Sequence, residues 1–257
     1  MRVLVTRPAR EAQRWVHELR LAGINAFSLP LIDIGPPPEE DAVRQQWARL
    51  DRFDAVMFVS GNAVDRFFAL RPPSLPDWPS ASTRAWAPGF GTRDALVRAG
   101  RPLETIDHPD ANAQQFDSKS LWAVVGGQLR PGQRLLVVRG GDAGGNGSGR
   151  DWLANQLVKQ GVTVDTVVAY CRRPPLWTAA QREMAQLAAV DGSAWLFSSS
   201  EAIGHLRSQL PSQGWSQARA VATHPRIAQS ATDAGFSVVC LSRPTLADVV
   251  ASIESMR

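Results

Sequence analysis

Short apolar runs alternate with segments of helical periodicity along almost the whole chain. Val3-Leu4-Val5 and Ala55 to Val59 are continuously apolar, which is typical of strands buried on both faces. Apolar residues recur every three or four positions in Ala9 to Leu21, which is followed by Gly23 and therefore reads as a capped helix. The other predicted strands are Ala85–Ala87, Arg134–Val138, Val162–Cys171, Ala194–Phe197, Ala220–Thr223 and Val238–Leu241, with one long extended segment at Ile24–Ile34. The other predicted helices are Val43–Leu50, Asn62–Leu70, Gly91–Ala99, Gln114–Leu129, Asp151–Gln160, Ser200–Leu210, Ile227–Ala234 and Leu246–Met256. This alternation predicts an α/β protein with parallel sheets covered by helices.

Three strand-to-helix turns occur twice, in the same order along the chain. Their sequences are Leu4-Val5-Thr6-Arg7, Phe58-Val59-Ser60-Gly61-Asn62-Ala63-Val64 and Ala87-Pro88-Gly89-Phe90-Gly91-Thr92, which reappear as Val137-Val138-Arg139-Gly140, Phe197-Ser198-Ser199-Ser200-Glu201-Ala202-Ile203 and Ala222-Thr223-His224-Pro225-Arg226-Ile227. The repeat predicts two related halves. A ligand cleft between paired α/β lobes is then the default expectation.

The charge is modestly basic and consists almost entirely of arginine. The net charge is +4, and only Lys119 and Lys159 of the 28 basic residues are lysines. Arginine grips carboxylate and phosphate with a rigid fork, so this bias suits an anionic ligand, although a GC-rich genome produces the same bias and is the simpler explanation. The basic residues are scattered rather than arranged in a stripe with aromatic residues, which argues against nucleic-acid binding.

Several features predict a cytoplasmic protein that does not enter a membrane. No apolar run approaches the roughly 20 residues that span a bilayer, and Met1 to Thr6 is too short for a signal-peptide core. Cys171 and Cys240 form neither a metal-spaced pair nor a disulfide framework.

The repeated turns also suggest an anion-binding site. In parallel α/β sheets such turns lie at the carboxyl ends of the strands, where helix N-termini offer unpaired amides and the positive end of the helix dipole. The small donors and glycines that occupy them are Ser60, Gly61, Asn62, Gly91, Thr92, Ser198, Ser199, Ser200 and Thr223. Ordinary helix capping is the better explanation for any single turn, whereas the repeated set favours ligand binding.

The familiar motifs of metal, nucleotide and covalent chemistry are missing from the sequence. The glycine-rich segment 140–149 resembles a phosphate loop, but Arg150-Asp151 stands where Lys-Ser/Thr is required, so a mobile loop or lid is expected instead. The four histidines lack metal spacing, and no nucleophile elbow is present.

Tyr170 is the only tyrosine of the chain and stands near the end of a long predicted strand. A phenol can donate a proton to a leaving oxygen. A half-buried structural tyrosine is the alternative, and the sequence alone favours it.

Taken together, these motifs resemble the uroporphyrinogen-III synthase family. Each motif is weak alone, but their order and spacing are specific and extend over the whole chain. The match is carried by Val5-Thr6-Arg7-Pro8, Phe58 to Val64, Gly89-Phe90-Gly91-Thr92, Arg139-Gly140 with Asp151-Trp152-Leu153, Val168-Ala169-Tyr170-Cys171-Arg172-Arg173, Phe197-Ser198-Ser199, and Pro225 with Ala228.

The resemblance implies two flavodoxin-like α/β domains joined by a two-stranded antiparallel ladder, with a cleft between them. Residues 1–34 and 174–257 would form a discontinuous first domain, and residues 35–166 the second. The linking strands would be 29–34 and 167–173, so the repeats cross between domains.

The resemblance also implies a reaction without a metal or organic cofactor. The family closes hydroxymethylbilane, a linear tetrapyrrole rich in carboxylates, to uroporphyrinogen III with loss of water and inversion of the last ring through a spiro intermediate. By this analogy Tyr170 assists departure of the hydroxyl. The implied substrate-binding positions are Thr6, Arg7, Ser60, Gly61, Asn62, Ala63, Gly91, Thr92, Arg139, Gly140, Ser198, Ser199, Ser200, His224, Pro225 and Arg226. A monomer is expected, with a transient contact to the preceding pathway enzyme and no nucleic-acid or membrane partner.

One turn departs from the family pattern. The family has Gly-Pro-x-Thr where this chain has His224-Pro225-Arg226-Ile227, so an isoleucine replaces a hydroxyl donor. Arg226 is expected either to pair with a carboxylate or to face solvent. Three rivals remain: a two-lobed binding protein, a basic nucleic-acid-associated protein and a regulatory paralogue that has lost turnover.

Overall fold

The computed structural model describes residues 1–76, 78, 82–110, 113, 115–142, 144 and 152–256. The strands are β1 Val3–Val5, β2 Ala26–Ser28, β3 Asp33–Gly35, β4 Ala55–Phe58, β5 Arg84–Trp86, β6 Ile106–Asp107, β7 Arg134–Gly141, β8 Thr163–Arg173, β9 Ala194–Phe197, β10 Arg219–Ala222 and β11 Val238–Leu241. The helices are α1 Ala9–Leu21, α2 Glu40–Ala48, α3 Gly61–Ala69, α4 Phe90–Arg98, α5 Ser118–Val125, α6 Trp152–Lys159, α7 Ala179–Ala188, α8 Ser200–Gln209, α9 Pro225–Asp233 and α10 Leu246–Glu254.

The chain forms two compact units. Unit 1 comprises Met1–Asp33 with Arg173–Arg257, and unit 2 comprises Ile34–Arg172. Unit 1 holds a five-stranded sheet in the order β11-β10-β9-β1-β2, whose neighbours all pair in parallel. The second sheet has the order β3-β8-β7-β4-β5-β6, and its pairs from β8 to β6 are parallel. The predicted α/β class with parallel sheets is confirmed.

The two sheets share one strand order in a permuted form. Numbered along the chain, β1, β2, β9, β10 and β11 are arranged 2-1-3-4-5, the flavodoxin-like order. The second sheet shows the same order when β7 and β8 are counted first and β4, β5 and β6 afterwards. Each repeated turn therefore occupies the same place in its own sheet, which explains why the motifs recur.

Both faces of the second sheet are covered by apolar packing. Val56 and Phe58 of β4 point into one core cluster, and Ala55 and Met57 point into the other. All four residues are buried, which is why the strand reads as one continuous apolar run. A third cluster in unit 1 packs α1 and α10 against β1 and β9.

The prediction of one long strand from Ile24 to Ile34 is wrong. Two three-residue strands, β2 and β3, occupy the segment instead. The Leu29 and Leu31 amides donate to the Val5 and Thr6 carbonyls at 3.0 and 3.2 Å, so the chain follows β1 beyond the end of β2. Pro30 lies between these two donors, at the alternate position that faces away from β1, so its lack of an amide costs this pairing no hydrogen bond.

The sequence analysis missed α7 and overextended α5. Thr178 and Gln181 form a reciprocal capping box at the start of α7. The helix α5 begins after Asp117, whose carboxylate accepts from the Lys119 and Ser120 amides at 3.0 Å. It covers only the central part of the predicted segment Gln114–Leu129.

Candidate functional site

Three predicted site residues of unit 2 meet at the carboxyl ends of adjacent strands. Ser60 follows β4, Gly140 lies in β7 and Tyr170 lies in β8, and these strands are neighbours in the order β8-β7-β4. The Tyr170 hydroxyl lies 3.0 Å from the Ser60 hydroxyl. The phenol therefore reaches across β7 to the start of α3.

The crossing is possible because Gly140 has no side chain. A Cβ at this position would lie 2.4 Å from Cζ of Tyr170 and 2.6 Å from Nη1 of Arg172. The register of β7 against β8 also shifts between Arg139 and Gly140, so that Gly140 pairs with Tyr170. The ring, the guanidinium and the bare backbone thus pack directly on one another.

Burial of Tyr170 is deeper than the sequence indicates. The residue is 4% exposed and belongs to a core cluster of unit 2. Its ring is held by packing, and its hydroxyl is held by Ser60. A side chain fixed at both ends can present its proton in a defined direction.

Ser60 also caps α3. Its hydroxyl oxygen accepts from the Ala63 amide at 3.2 Å, so it lies at the positive end of that helix. Gly61 allows a second helix to approach, because a Cβ on it would lie 3.3 Å from the Gly91 carbonyl oxygen. The first turns of α3 and α4 therefore lie side by side and bring the other predicted donors of unit 2, Asn62 and Thr92, to one edge. Asn62 is partly exposed, and Thr92 is buried.

Arg139 places a buried positive charge in the same unit. It is 7% exposed and lies on β7 directly before Gly140, where the register against β8 shifts. Burying a guanidinium is unfavourable unless anionic or polar groups compensate for the lost water.

The β1 turn of unit 1 carries a second arginine, Arg7, which is partly buried. The Arg7 guanidinium lies 4.5 Å from the Trp15 ring centroid, and its Nη1 is 3.5 Å from a Glu11 carboxylate oxygen. Loss of water on burial lowers the pKa of Arg7, and Glu11 partly opposes that shift. Its Nε is buried with no hydrogen-bond acceptor among the described residues.

Thr6 serves the sheet of unit 1. It is 1% exposed, and its hydroxyl donates to the Leu196 carbonyl at 2.7 Å. This bond joins the ends of β1 and β9 and accounts for the hydroxyl without a ligand.

The serine turn after β9 combines capping with an unsatisfied group. Ser199 caps α8 by accepting from the Glu201 amide at 3.2 Å. The Ser200 hydroxyl oxygen is buried and has no hydrogen-bond partner within the described ranges. Ser198 is partly exposed beside them. In this turn the capping and ligand-binding interpretations apply to different residues.

In the turn at residues 224–227, which departs from the family pattern, helix capping explains the position of the His224 side chain. Its Nδ1 accepts from the Arg226 amide at 3.1 Å, and Pro225 occupies the first turn of α9. Ile227, which stands where the family has a threonine, is 4% exposed and packs in the interior. Arg226 is exposed.

Arg172 is a candidate that the sequence analysis did not select. It lies two residues after Tyr170 on β8, so the two side chains project from the same face of the strand. The period of two along β8 could have identified it, but its approach to Gly140 depends on the register shift between β7 and β8.

Most of the glycine-rich segment 140–149 lies outside the described residues, so the expected lid has no structural counterpart here. Within the described ranges, no group of three or more histidine, cysteine, aspartate or glutamate residues could hold a metal ion. None of the described helices is long and apolar enough to cross a membrane.

Comparison with known proteins gives one consistent family. The model of the family described as uroporphyrinogen-III synthase HemD matches residues 13–251. Uroporphyrinogen-III synthase of Synechococcus elongatus is 27% identical over 173 residues, which cover 67% of this chain and 61% of that protein. The Chlorobaculum parvum uroporphyrinogen-III synthase is 30% identical over 140 residues, which cover 54% of this chain and 52% of that protein. The matches thus span about half to three fifths of these two relatives. The solved uroporphyrinogen-III synthetase from Helicobacter pylori has the same fold, with a TM-score of 0.60, 16% identity and full coverage of both chains.

Proposed function

The chain belongs to the uroporphyrinogen-III synthase family, and on that basis we propose that it converts hydroxymethylbilane to uroporphyrinogen III. The observation that carries the proposal is the Tyr170 hydroxyl, held 3.0 Å from Ser60 at the carboxyl ends of parallel strands. Ligands bind at these ends in α/β folds.

In the first step the bond between the terminal methylene and its hydroxyl oxygen breaks. The electron pair leaves on oxygen, and a proton from Tyr170 converts the leaving group to water. The attached pyrrole donates electrons to the methylene carbon as the hydroxyl leaves. The phenol therefore assists the step and is not indispensable to it.

In the second step the substituted carbon of the last pyrrole attacks that methylene and gives the spiro intermediate. The bond between the last ring and its original bridging methylene then breaks, and that methylene bonds to the unsubstituted carbon of the same ring, which inverts the ring. The proton lost from this carbon as the ring regains aromaticity restores the phenol. Without the enzyme the unsubstituted carbon attacks and the ring stays uninverted. The protein's main task is therefore to position a flexible chain.

The substrate is fringed with carboxylates, and the turns offer groups that suit them. The N-termini of α3, α4 and α8 lie at these turns, and the positive end of a helix favours an anion. The partly buried Arg7 and the buried Arg139 add positive charge, for which a carboxylate is a favourable partner.

Domain boundaries are part of the same proposal. We assign residues 1–34 and 174–257 to one domain, 35–166 to the other, and 29–34 with 167–173 to the linking strands. The division into compact units at residues 33/34 and 172/173 supports this assignment, as does the position of β3 next to β8. The two free cysteines suit the cytoplasm, which we propose as the compartment.

The test is to give the purified protein freshly made hydroxymethylbilane, oxidise the products and separate the porphyrin isomers. Isomer III above the spontaneous background is expected. Bilane that binds but yields only isomer I would instead identify a regulatory paralogue, and absence of binding would remove the bilane as ligand.

A further inference from the structure

The hydroxyls of Ser60 and Tyr170 lie 3.0 Å apart, a contact that the family reaction does not by itself require. We infer that Ser60 is a positioning residue, which orients the Tyr170 proton toward the substrate and stabilises the phenol oxygen as that proton leaves. This inference rests on the proposed function, because it concerns how Tyr170 acts within it.

The proposed proton transfer fixes the direction of this hydrogen bond, since either hydroxyl can be the donor before the transfer. The Ser60 oxygen accepts from the Ala63 amide at 3.2 Å and lies 3.0 Å from the Tyr170 oxygen. A hydroxyl has one proton to donate. When Tyr170 gives its proton to a leaving hydroxyl, the phenol oxygen is the acceptor that remains next to Ser60, and Ser60 donates to it. The order is then Ala63 amide to Ser60, Ser60 to Tyr170, and Tyr170 to substrate.

Negative charge develops on the Tyr170 oxygen when its proton leaves. A phenol that loses its proton acquires negative charge on oxygen, and a donor already in place stabilises that charge without reorganisation. The Ser60 donor is itself polarised by the N-terminus of the nine-residue helix α3. The interaction is therefore stronger after proton transfer than before it, which is the condition for accelerating a step rather than tightening binding.

Neighbouring residues hold the Tyr170 side chain in place beside Ser60. Tyr170 is buried, and a Cβ at Gly140 would intrude on its ring at 2.4 Å. The Arg172 guanidinium lies beside the ring over the same glycine and adds positive charge near the phenol. Two other roles for Ser60 remain to be separated from this one, namely helix capping alone and direct contact with the substrate.

A double-mutant cycle separates the three roles. The variants are Ser60→Ala, Tyr170→Phe and both together, with kcat and KM measured for isomer III formation. Ser60→Ala should lower kcat about tenfold with little change in KM. In the Tyr170→Phe background the same change should alter kcat by less than about twofold, because the group it acts through is absent.

Two further variants protect the test against loss of folding. Ser60→Gly removes the hydroxyl but leaves an acceptable N-cap residue, so it should repeat the kcat loss in a stable protein. Ser60→Thr restores a hydroxyl and should recover most of the rate. Thr245→Ala is the matched control, since Thr245 caps α10 by accepting from the Asp248 amide at the same 3.2 Å. It should lower stability and leave kcat unchanged.

The outcomes are distinct. Equal losses from Ser60→Ala in both backgrounds, or a rise in KM without a fall in kcat, would overturn the inference and indicate capping or substrate contact. A Ser60→Gly variant with wild-type kcat would overturn it as well. Failure of the wild type to form isomer III would instead remove the proposed function, so the two failures cannot be confused.

Discussion

Tyr170 joins the packing of unit 2 to its proposed chemistry, and its two roles predict different effects. Tyr170→Phe keeps the buried ring and removes only the hydroxyl near Ser60. We expect kcat to fall by about tenfold to a hundredfold, at or below the lower end for general acids, because the pyrrole already drives the leaving group out. The unfolding free energy should fall by about 1 kcal/mol, the net value of one hydrogen bond. Steady-state assays and urea unfolding measure the two effects, and unchanged kcat would remove Tyr170 from the mechanism.

A side chain at position 140 should clash with the Tyr170 ring. A Cβ there would lie 2.4 Å from the Tyr170 ring, and because backbone and ring are both buried neither can move freely. Gly140→Ala should destabilise the protein by about 1–3 kcal/mol, the usual cost of overpacking, and should lower kcat by displacing the phenol from Ser60.

Gly91→Ala is the matched stability control, since a Cβ there meets nothing within 4 Å and the residue lies in helix α4. It should leave stability unchanged or raise it by up to about 1 kcal/mol. Equal stability of the two alanine variants in urea unfolding would contradict the close approach at Gly140.

For single residues, the sequence indicates which side chains could take part in chemistry but not which residues they contact. Tyr170 stands out because it is the only tyrosine, and Ser60 because it begins a helix. Their contact joins residues 110 positions apart and depends on the strand order β8-β7-β4 and on the register shift between β7 and β8. Neither of these can be read from local patterns.

Among the elements, β1 and β9 are joined at their amino ends by an ion pair with a predictable pH dependence. Asp191, just before β9, pairs with Arg2 and accepts from the Ser193 amide at 3.0 Å. Burial alone would raise the pKa of Asp191, but the hydrogen bonds from Ser193 and Arg2 outweigh it and lower the pKa below its ordinary 3.8.

A carboxylate whose pKa is lower in the folded state stabilises the protein above its unfolded pKa and loses that effect as the pH falls. Asp191→Asn should therefore reduce the unfolding free energy at neutral pH by at most about 1 kcal/mol, since the pair is partly exposed. The difference from wild type should vanish as the pH falls below 3.8. Unfolding curves across this range test it, and a difference independent of pH would indicate packing rather than charge.

Local patterns predict the elements unevenly. The helix α1 is predicted to its final residue because its apolar period and Gly23, with φ 77°, mark both its face and its end. The mostly apolar segment from Ile24 to Ile34 predicts one extended run, whereas the structure forms two short strands with residues 29–32 between them. Apolar character shows that a segment is buried, whereas backbone pairing decides how many strands it contains.

At the scale of the molecule, each unit contains its own apolar core. Both core clusters of the second sheet are built solely from residues between 34 and 172. A chain of residues 34–172 should therefore fold alone and unfold in one cooperative transition. Near-ultraviolet circular dichroism with urea unfolding tests this, and a fragment without fixed tertiary signals would contradict it.

The repeats show what a sequence can reveal about the whole molecule. They indicate two related sheets, and the shared 2-1-3-4-5 order accounts for them. Assignment of each motif to a unit came from the family resemblance, because the permutation places β7 and β8 after β4, β5 and β6 along the chain. Periodicity contains no information about which strands become neighbours.

The porphyrin isomer ratio reports whether the chain directs the ring inversion that we propose for it. Parallel reactions receive the same amount of hydroxymethylbilane and increasing amounts of enzyme, and a heat-denatured sample serves as control. The products are then oxidised and the porphyrin isomers are separated. We expect only isomer I without active enzyme. As the enzyme concentration rises, the fraction of isomer III should increase until isomer III is the main product. Isomer I as the sole product at every enzyme concentration would contradict it.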